Sequence, residues 1–154
     1  MKRLFSFLLF VVVAATSFAI SVASPNQRIK LLFDITSKDS VPYYQVFFDG
    51  KEVIAKSEMG FLLDGDKDLK HGFSLNNVDI KDFSSTWMPI LGQYAEIEDK
   101  YNNCVVYLTQ NSTGRAMRIV FRLYNEGLAF RYEFDTHLKN LDKANPLALY
   151  GPFQ

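Results

Sequence analysis

The sequence has few of the residues that build catalytic or cross-linked sites, with one cysteine, two histidines and one tryptophan among 154 residues. A single cysteine excludes an internal disulfide bond. Cys104 lies in the apolar run 104–108, which favours a small buried side chain over a reactive thiol. No glycine-rich phosphate loop, nucleophile-elbow serine or zinc-ligand spacing occurs in the chain. The sequence therefore predicts no catalytic residue and no metal ligand.

Acidic residues are absent before Asp34. In this stretch two cations precede an apolar run over residues 4–15, and the small residues Ser21 and Ala23 have the spacing of a signal-peptidase site. The run is shorter than the roughly 18–20 residues that span a bilayer, which favours export over a membrane anchor. The sequence predicts a signal peptide at residues 1–23, cleaved after Ala23, and a periplasmic protein with no membrane segment after cleavage.

The mature chain also lacks a net charge of either sign. Cleavage removes two cations, so 17 − 2 = 15 Lys and Arg stand against 17 Asp and Glu, a balance of −2. Nucleic acids and anionic lipids attract strongly basic surfaces. This near-neutral composition gives no reason to expect either partner.

Short apolar runs between turn signals predict an all-β fold. Aromatic residues make up 15% of the chain, and the dipeptide Asp49-Gly50 is a strong hairpin signal. Strands are expected at Ile29–Ile35, 43–48, 51–55, 61–63, 94–99, 104–108, 115–123 and Leu128–Phe134. Polar residues 64–72 and 111–114 are expected to form a loop and a turn, and residues 136–148 a short helical turn. This spacing predicts an antiparallel β-sandwich.

The two runs around residues 124–127 predict a hairpin with a defined register. A four-residue loop sets Phe121 opposite Phe130 on an apolar face and Arg118 opposite Glu133 on a polar face, whereas a three-residue loop would mix the faces. Gly127 is expected to supply the positive φ that ends the loop. We interpret the following hairpin residues as structural: Phe121, Arg122, Tyr124, Asn125, Gly127, Phe130, Arg131 and Tyr132.

The acidic and histidine residues lack the spacing of a metal site. Asp64, Asp66 and Asp68 begin like a calcium loop, but leucines occupy the sixth and twelfth positions, where Gly and Glu are needed. His71 and His137 lie in polar stretches without further ligands at suitable spacing. A solvated turn and surface histidines are the expected arrangement.

Two further patterns are candidate sugar sites. Glu96 and Glu98 alternate on one strand face about 7 Å apart, but two acids on one face are usually a solvated polar face. Trp87, Tyr94 and Tyr101 offer aromatic faces on which a sugar ring could stack. Aromatic residues of β proteins belong more often to the core, so these three are weak candidates for carbohydrate stacking.

A series of motifs resembles the N-terminal domain of glycoside hydrolase family 97, from about residue 24 to residue 134. In chain order the motifs are Ser24-Pro25, Tyr44-Gln45-Val46, Phe48-Asp49-Gly50-Lys51-Glu52-Val53-Ile54, Gly60-Phe61, Ile97-x-Asp99-x-Tyr101-Asn102 and Phe121-Arg122-x-Tyr124-Asn125-x-Gly127-x-Ala129-Phe130-Arg131-Tyr132. The ordered combination is more specific than any single motif, and the last motif is the most specific.

The resemblance implies a fold, an activity and a cofactor for the full-length family. That family comprises exported bacterial α-glucosidases and α-galactosidases with an N-terminal, mutarotase-like β-sandwich called a supersandwich, a catalytic (β/α)₈ barrel and bound calcium. Its catalytic acids lie on the barrel, and its calcium ligands lie on the barrel or late in the N-terminal domain. None of these positions has a counterpart here, so we expect this chain alone to be inactive and to hold no cofactor.

The resemblance ends near residue 135. It predicts a partial sandwich at residues 24–135 and a divergent tail at residues 136–154. The complete leader favours a truncated or frameshifted gene product over an excised domain. Three functions stay open: a portion of a glycosidase that packs on a catalytic barrel, a free-standing carbohydrate-binding accessory domain, or a structural domain with no ligand.

Overall fold

A computed structural model describes residues 19–63, 68–88, 90 and 96–134. Within these ranges the chain forms eight β-strands and no helix: β1 Ile20–Ala23, β2 Ile29–Ile35, β3 Pro42–Phe48, β4 Lys51–Glu58, β5 Phe73–Trp87, β6 Ile97–Gln110, β7 Ala116–Leu123 and β8 Leu128–Phe134. They build two four-stranded sheets of order β1-β2-β3-β4 and β5-β6-β7-β8, with antiparallel pairing throughout. No helix of the described residues is long and apolar enough to cross a membrane. The predicted all-β sandwich is confirmed.

The core lies between the two sheets and follows from the period-two alternation of the strands. On β2, Ile29, Leu31 and Phe33 are buried, while Lys30 between Ile29 and Leu31 is exposed. The Phe33 ring lies 5.9 Å from the Phe121 ring of β7, and Phe121 also lies 6.3 Å from Tyr44 of β3. Phe121 therefore packs at the centre of the sandwich, where both sheets contribute aromatic rings.

The predicted hairpin has the register that its apolar face selects. Phe121 pairs with Phe130, Arg118 pairs with Glu133, and the Tyr124 amide donates a hydrogen bond of 2.8 Å to the Gly127 carbonyl across the four-residue loop. The expectation for Gly127 is wrong, because its φ does not lie in the left-handed region. A four-residue loop that closes through this hydrogen bond reverses the chain without a left-handed residue at its last position.

Strand β5 is not indicated by the sequence pattern. Strand β5 runs for 15 residues along the edge of the second sheet, where its outer half is exposed on both faces. An exposed edge strand needs no apolar alternation, and a register shift between Leu75 and Asn77 breaks the alternation that exists. The pattern that identifies buried strands is therefore absent from it.

Three strand boundaries also differ from expectation. Residues 102 and 103, which lie between the expected strands 94–99 and 104–108, are inside the continuous strand β6. Residues 61–63 form no strand; Phe61 makes an isolated bridge with Leu69. Residues 20–23, assigned to the leader, form β1. Pairing with β5 and β7 holds the polar residues 102 and 103 extended, and pairing with β2 makes residues 20–23 a strand. The expected helical turn at 136–148 and tail at 136–154 lie outside the described residues.

Cys104 is the buried small residue that its apolar run predicts. It lies on the inner face of β6 with no exposed surface, and burial raises the pKa of its thiol to about 11 from an ordinary 9.0. The folded protein therefore keeps the thiol protonated at a pH where the unfolded chain ionises it.

We expect this thiol to make the protein less stable in alkali. Between pH 9 and 11 ionisation favours the unfolded chain, so stability present below pH 9 falls by up to about 3 kcal/mol. Urea unfolding across this range, compared with Cys104→Ala, isolates the contribution, because tyrosines and lysines titrate in both proteins. Parallel pH profiles for the two proteins would contradict the assignment.

Candidate functional site

The outer face of the second sheet carries a polar and aromatic groove of about 300 Å³, here called the outer groove. Side chains from four adjacent strands line it, because residues that pair across β5 to β8 project to the same side. The lining residues are Lys81, Asp82, Phe83, Tyr101, Asn103, Val105, Tyr107, Arg118, Val120, Arg122, Arg131 and Glu133. This volume is at the lower end of the range of small-ligand pockets.

An aromatic stack forms one end of the outer groove. The Tyr101 ring stacks on Phe83 with centroids 4.8 Å apart and lies 5.0 Å from the Tyr124 ring. The Arg122 guanidinium lies over Tyr101, 4.8 Å from its centroid. These neighbours bury Tyr101, whereas Phe83 on the edge strand is 42% exposed. Phe83 is therefore the aromatic ring of this stack that a ligand in the groove could reach.

A carboxylate between two arginines forms the other end. Glu133 accepts hydrogen bonds from Arg131 at 2.8 Å and pairs with Arg118 at 3.4 Å. All three side chains are partly open to solvent, so this network contributes little net stability. Its effect is to fix the orientation of the Arg118 and Arg131 guanidinium groups at this end of the groove.

The outer groove has a positive balance of charge. Four cationic and two acidic side chains line it, a difference of +2. At its edge the Lys81 ammonium bonds the Asp79 carboxylate at 2.8 Å, which raises the pKa of Lys81. The buried Nε of Arg122 has no hydrogen-bond partner among the described residues. The groove can hold a polar ligand with hydroxyl or carboxylate oxygens, and nothing in its lining arranges a nucleophile beside a base.

Of the three predicted stacking residues, the two that the structure describes, Trp87 and Tyr101, do not form one open surface. Trp87 is 52% exposed at the far end of β5 and shares the outer face with Phe83 and the buried Tyr101. Trp87 follows Phe83 by four positions, a distance of about 13 Å along a strand. Tyr94 lies outside the described residues. The sequence did not predict Phe83 and Arg122 as groove residues, because β5 has no strand pattern and the position of Arg122 in a hairpin indicates a structural role.

Those acidic candidates that the structure describes, Asp68, Glu96 and Glu98, occupy surface positions. Asp68 accepts a hydrogen bond of 2.8 Å from His71 and further ones from backbone amides, which together lower the pKa of its carboxyl. Buried Gln110 donates hydrogen bonds to the backbone carbonyls of Asp68 and His71. The Asp68–His71 pair is therefore part of a hydrogen-bonded turn. Glu96 and Glu98 are exposed at the start of β6. No group of potential metal ligands occurs among the described residues, and Asp64, Asp66 and His137 lie outside them.

Comparison with known families and structures identifies relatives of this chain. Residues 22–146 match the family described as "Glycosyl-hydrolase 97 N-terminal". A glycoside hydrolase family 97 enzyme from Pseudoalteromonas sp. strain K8, solved in complexes with panose and with acarbose, is 25% identical, with a TM-score of 0.68 over 75% of this chain. A β-arabinopyranosidase has the same fold, with a TM-score of 0.65, 19% identity and 73% coverage of this chain.

These relatives are much longer than the chain. The match covers 17% of the Pseudoalteromonas enzyme and 18% of the β-arabinopyranosidase. The chain therefore spans about a sixth of the enzymes that it resembles.

Proposed function

This chain belongs to the glycosyl-hydrolase 97 N-terminal family, and from that premise we propose that it is the non-catalytic β-sandwich portion of an exported glycoside hydrolase. The match over residues 22–146 carries the proposal. The proposed substrates of the whole enzyme are α-glucosides or α-galactosides, in keeping with the panose and acarbose complexes of the Pseudoalteromonas enzyme. Its proposed place is the periplasm, and its catalytic barrel and calcium belong to the full-length enzyme.

Exposed apolar side chains on the inner faces support a packing role. Ile80 of β5 is 51% exposed, although it pairs with buried Cys104, and Ile54 of β4 is exposed beside buried Val46. Each lies on an edge strand that the opposite sheet does not cover. Apolar side chains on an uncovered inner face are available to pack against further protein. We propose that these strands pack against further protein of the same enzyme.

The proposal predicts that the isolated chain does not hydrolyse glycosides. Purified chain incubated with 4-nitrophenyl α-glucoside or α-galactoside, with and without calcium, is expected to release nitrophenol at the buffer rate, because the acid pair Glu96 and Glu98 is exposed and does not line the outer groove. Turnover that follows the chain through two different columns and disappears in urea would contradict a non-catalytic role.

A carbohydrate-binding accessory role is the second candidate, favoured by exposed Phe83 and Trp87 on the face of the outer groove. It predicts that maltotriose quenches the single tryptophan with a Kd in the millimolar range, near −4 kcal/mol. Phe83→Ala should weaken the response several-fold. Val53→Ala, on the exposed strand β4, should leave it unchanged. No change in tryptophan fluorescence up to about 10 mM maltotriose would exclude this role.

A further inference from the structure

Two possible signal-peptidase sites flank strand β1. Ser17 and Ala19 lie three and one residues before Ile20, and Ser21 and Ala23 stand in the same relation to Ser24. Both pairs provide the small residues that the peptidase needs, and both give leaders of acceptable length. Local sequence alone therefore leaves the choice open, and the two sites differ in whether β1 stays with the folded protein.

Strand β1 is part of the first sheet and of the core. All four of its residues pair with β2, from Ile20 opposite Phe33 to Ala23 opposite Lys30. The inward side chain of Val22 is buried, and Ile20 packs against the same core. A chain that begins at Ser24 loses these apolar contacts and leaves the β2 edge without its partner.

The end of β1 also joins the two sheets. The Ala23 carbonyl accepts a hydrogen bond of 2.8 Å from the Asn102 side chain of β6. Ser24, which follows, has no exposed surface. Its amide donates to the Ile29 carbonyl at 2.8 Å, and its hydroxyl accepts from the Ile29 amide at 3.0 Å. The peptide bond between residues 23 and 24 is thus inside a bonded turn.

Cleavage within this turn would disrupt the hydrogen bonds that hold it. Hydrolysis after Ala23 detaches from the fold the carbonyl that Asn102 bonds, and it turns the Ser24 amide, which donates to the Ile29 carbonyl, into a charged amino terminus. Hydrolysis after Ala19 instead places the ammonium on Ile20, next to an exposed residue at the end of the sheet, where water solvates it.

We propose that signal peptidase cleaves between Ala19 and Ile20, so that the mature protein keeps β1 and begins at Ile20. This inference rests on the proposed export. Water adds across the Ala19–Ile20 peptide bond and leaves a carboxylate on Ala19 and an ammonium on Ile20. The expected cleavage after Ala23 is thereby replaced, because the leader of residues 1–23 includes a strand of the fold.

The amino terminus of exported protein tests the site directly. The full chain, residues 1–154, is expressed in a Gram-negative host, and the periplasmic fraction is examined by intact mass and amino-terminal sequencing. The expected chain begins at Ile20. A periplasmic chain that begins at Ser24, or at any other residue, overturns the inference and leaves export intact. Unprocessed chain confined to the cytosol overturns export, and the inference with it.

Paired variants distinguish the two sites without disturbing the mature fold. Ala19→Leu changes a residue that cleavage removes, and we expect the Ile20 species to be lost. Ser21→Leu blocks the alternative site at its −3 position, where the side chain is exposed, and the Ile20 species should form as in the wild type. The reverse result, normal processing of Ala19→Leu and a block in Ser21→Leu, overturns the assignment.

Discussion

Replacing Phe121 with alanine is expected to lower the free energy of unfolding by about 3–5 kcal/mol. The side chain has no exposed surface, and its ring contacts Phe33 and Tyr44 of the first sheet and Phe130 of its own. Removing it opens a cavity between the sheets that the surrounding strands cannot fill, because three flanking rings are held by backbone pairing. A loss of this size is comparable to the whole stability of a small domain.

Urea unfolding followed by circular dichroism measures the effect, and Phe130→Ala is its matched control. Phe130 pairs directly with Phe121 in the hairpin but is 41% exposed. Its removal deletes the same atoms from a half-solvated site, so we expect less than half the loss. Equal losses for the two variants would show that Phe121 is not at the centre of the core.

Gly60→Ala is expected to cost about 2–4 kcal/mol, from strain and from a backbone clash. Gly60 has a φ of 132°, which side chains rarely adopt, and a Cβ there would lie 2.5 Å from the Leu69 carbonyl oxygen. That oxygen accepts the hydrogen bond of the Phe61 amide in the isolated bridge. The adjoining Phe61 ring packs on Tyr132 at 4.5 Å, so displacing residue 60 also uncovers β8.

Gly127→Ala provides the control for this effect. A Cβ on Gly127 meets nothing within 4 Å, and its φ is not left-handed. Its replacement should change stability by no more than about 0.5 kcal/mol. Thermal unfolding of the two variants side by side is sufficient. If Gly60→Ala unfolds at the same temperature as Gly127→Ala, the connection between β4 and β5 adapts to a side chain.

The hairpin of β7 and β8 was predictable to the residue because one of its faces is continuously apolar. A shift of one position would bury Arg131 or Glu133, so the register follows from hydrophobicity alone. The Asp49-Gly50 turn was predictable for a different reason: both residues have positive φ, 48° and 78°, which these residue types tolerate. In these two cases the local signal, burial of one face or a φ that the turn requires, was sufficient to predict the structure.

The outer groove could not be predicted to the same degree. Its lining comes from four strands, and one of them, β5, has no local pattern because it is an exposed edge held by its pairing with β6. Tyr101 was identified as an aromatic candidate, but the sequence gives no sign that Phe83, Arg122 and Tyr124 cover it. Those contacts join residues far apart in the chain.

The sequence by itself determined the all-β class, the strands whose faces alternate, the hairpin register and the family, because each depends on neighbouring residues or on ordered short motifs. The tertiary structure alone decided that β5 is a strand, that Gly127 needs no positive φ, that Tyr101 is buried and that residues 20–23 belong to the first sheet. Each of these depends on a partner brought close by sheet pairing or packing, and the free energy that fixes it is not encoded in the local segment.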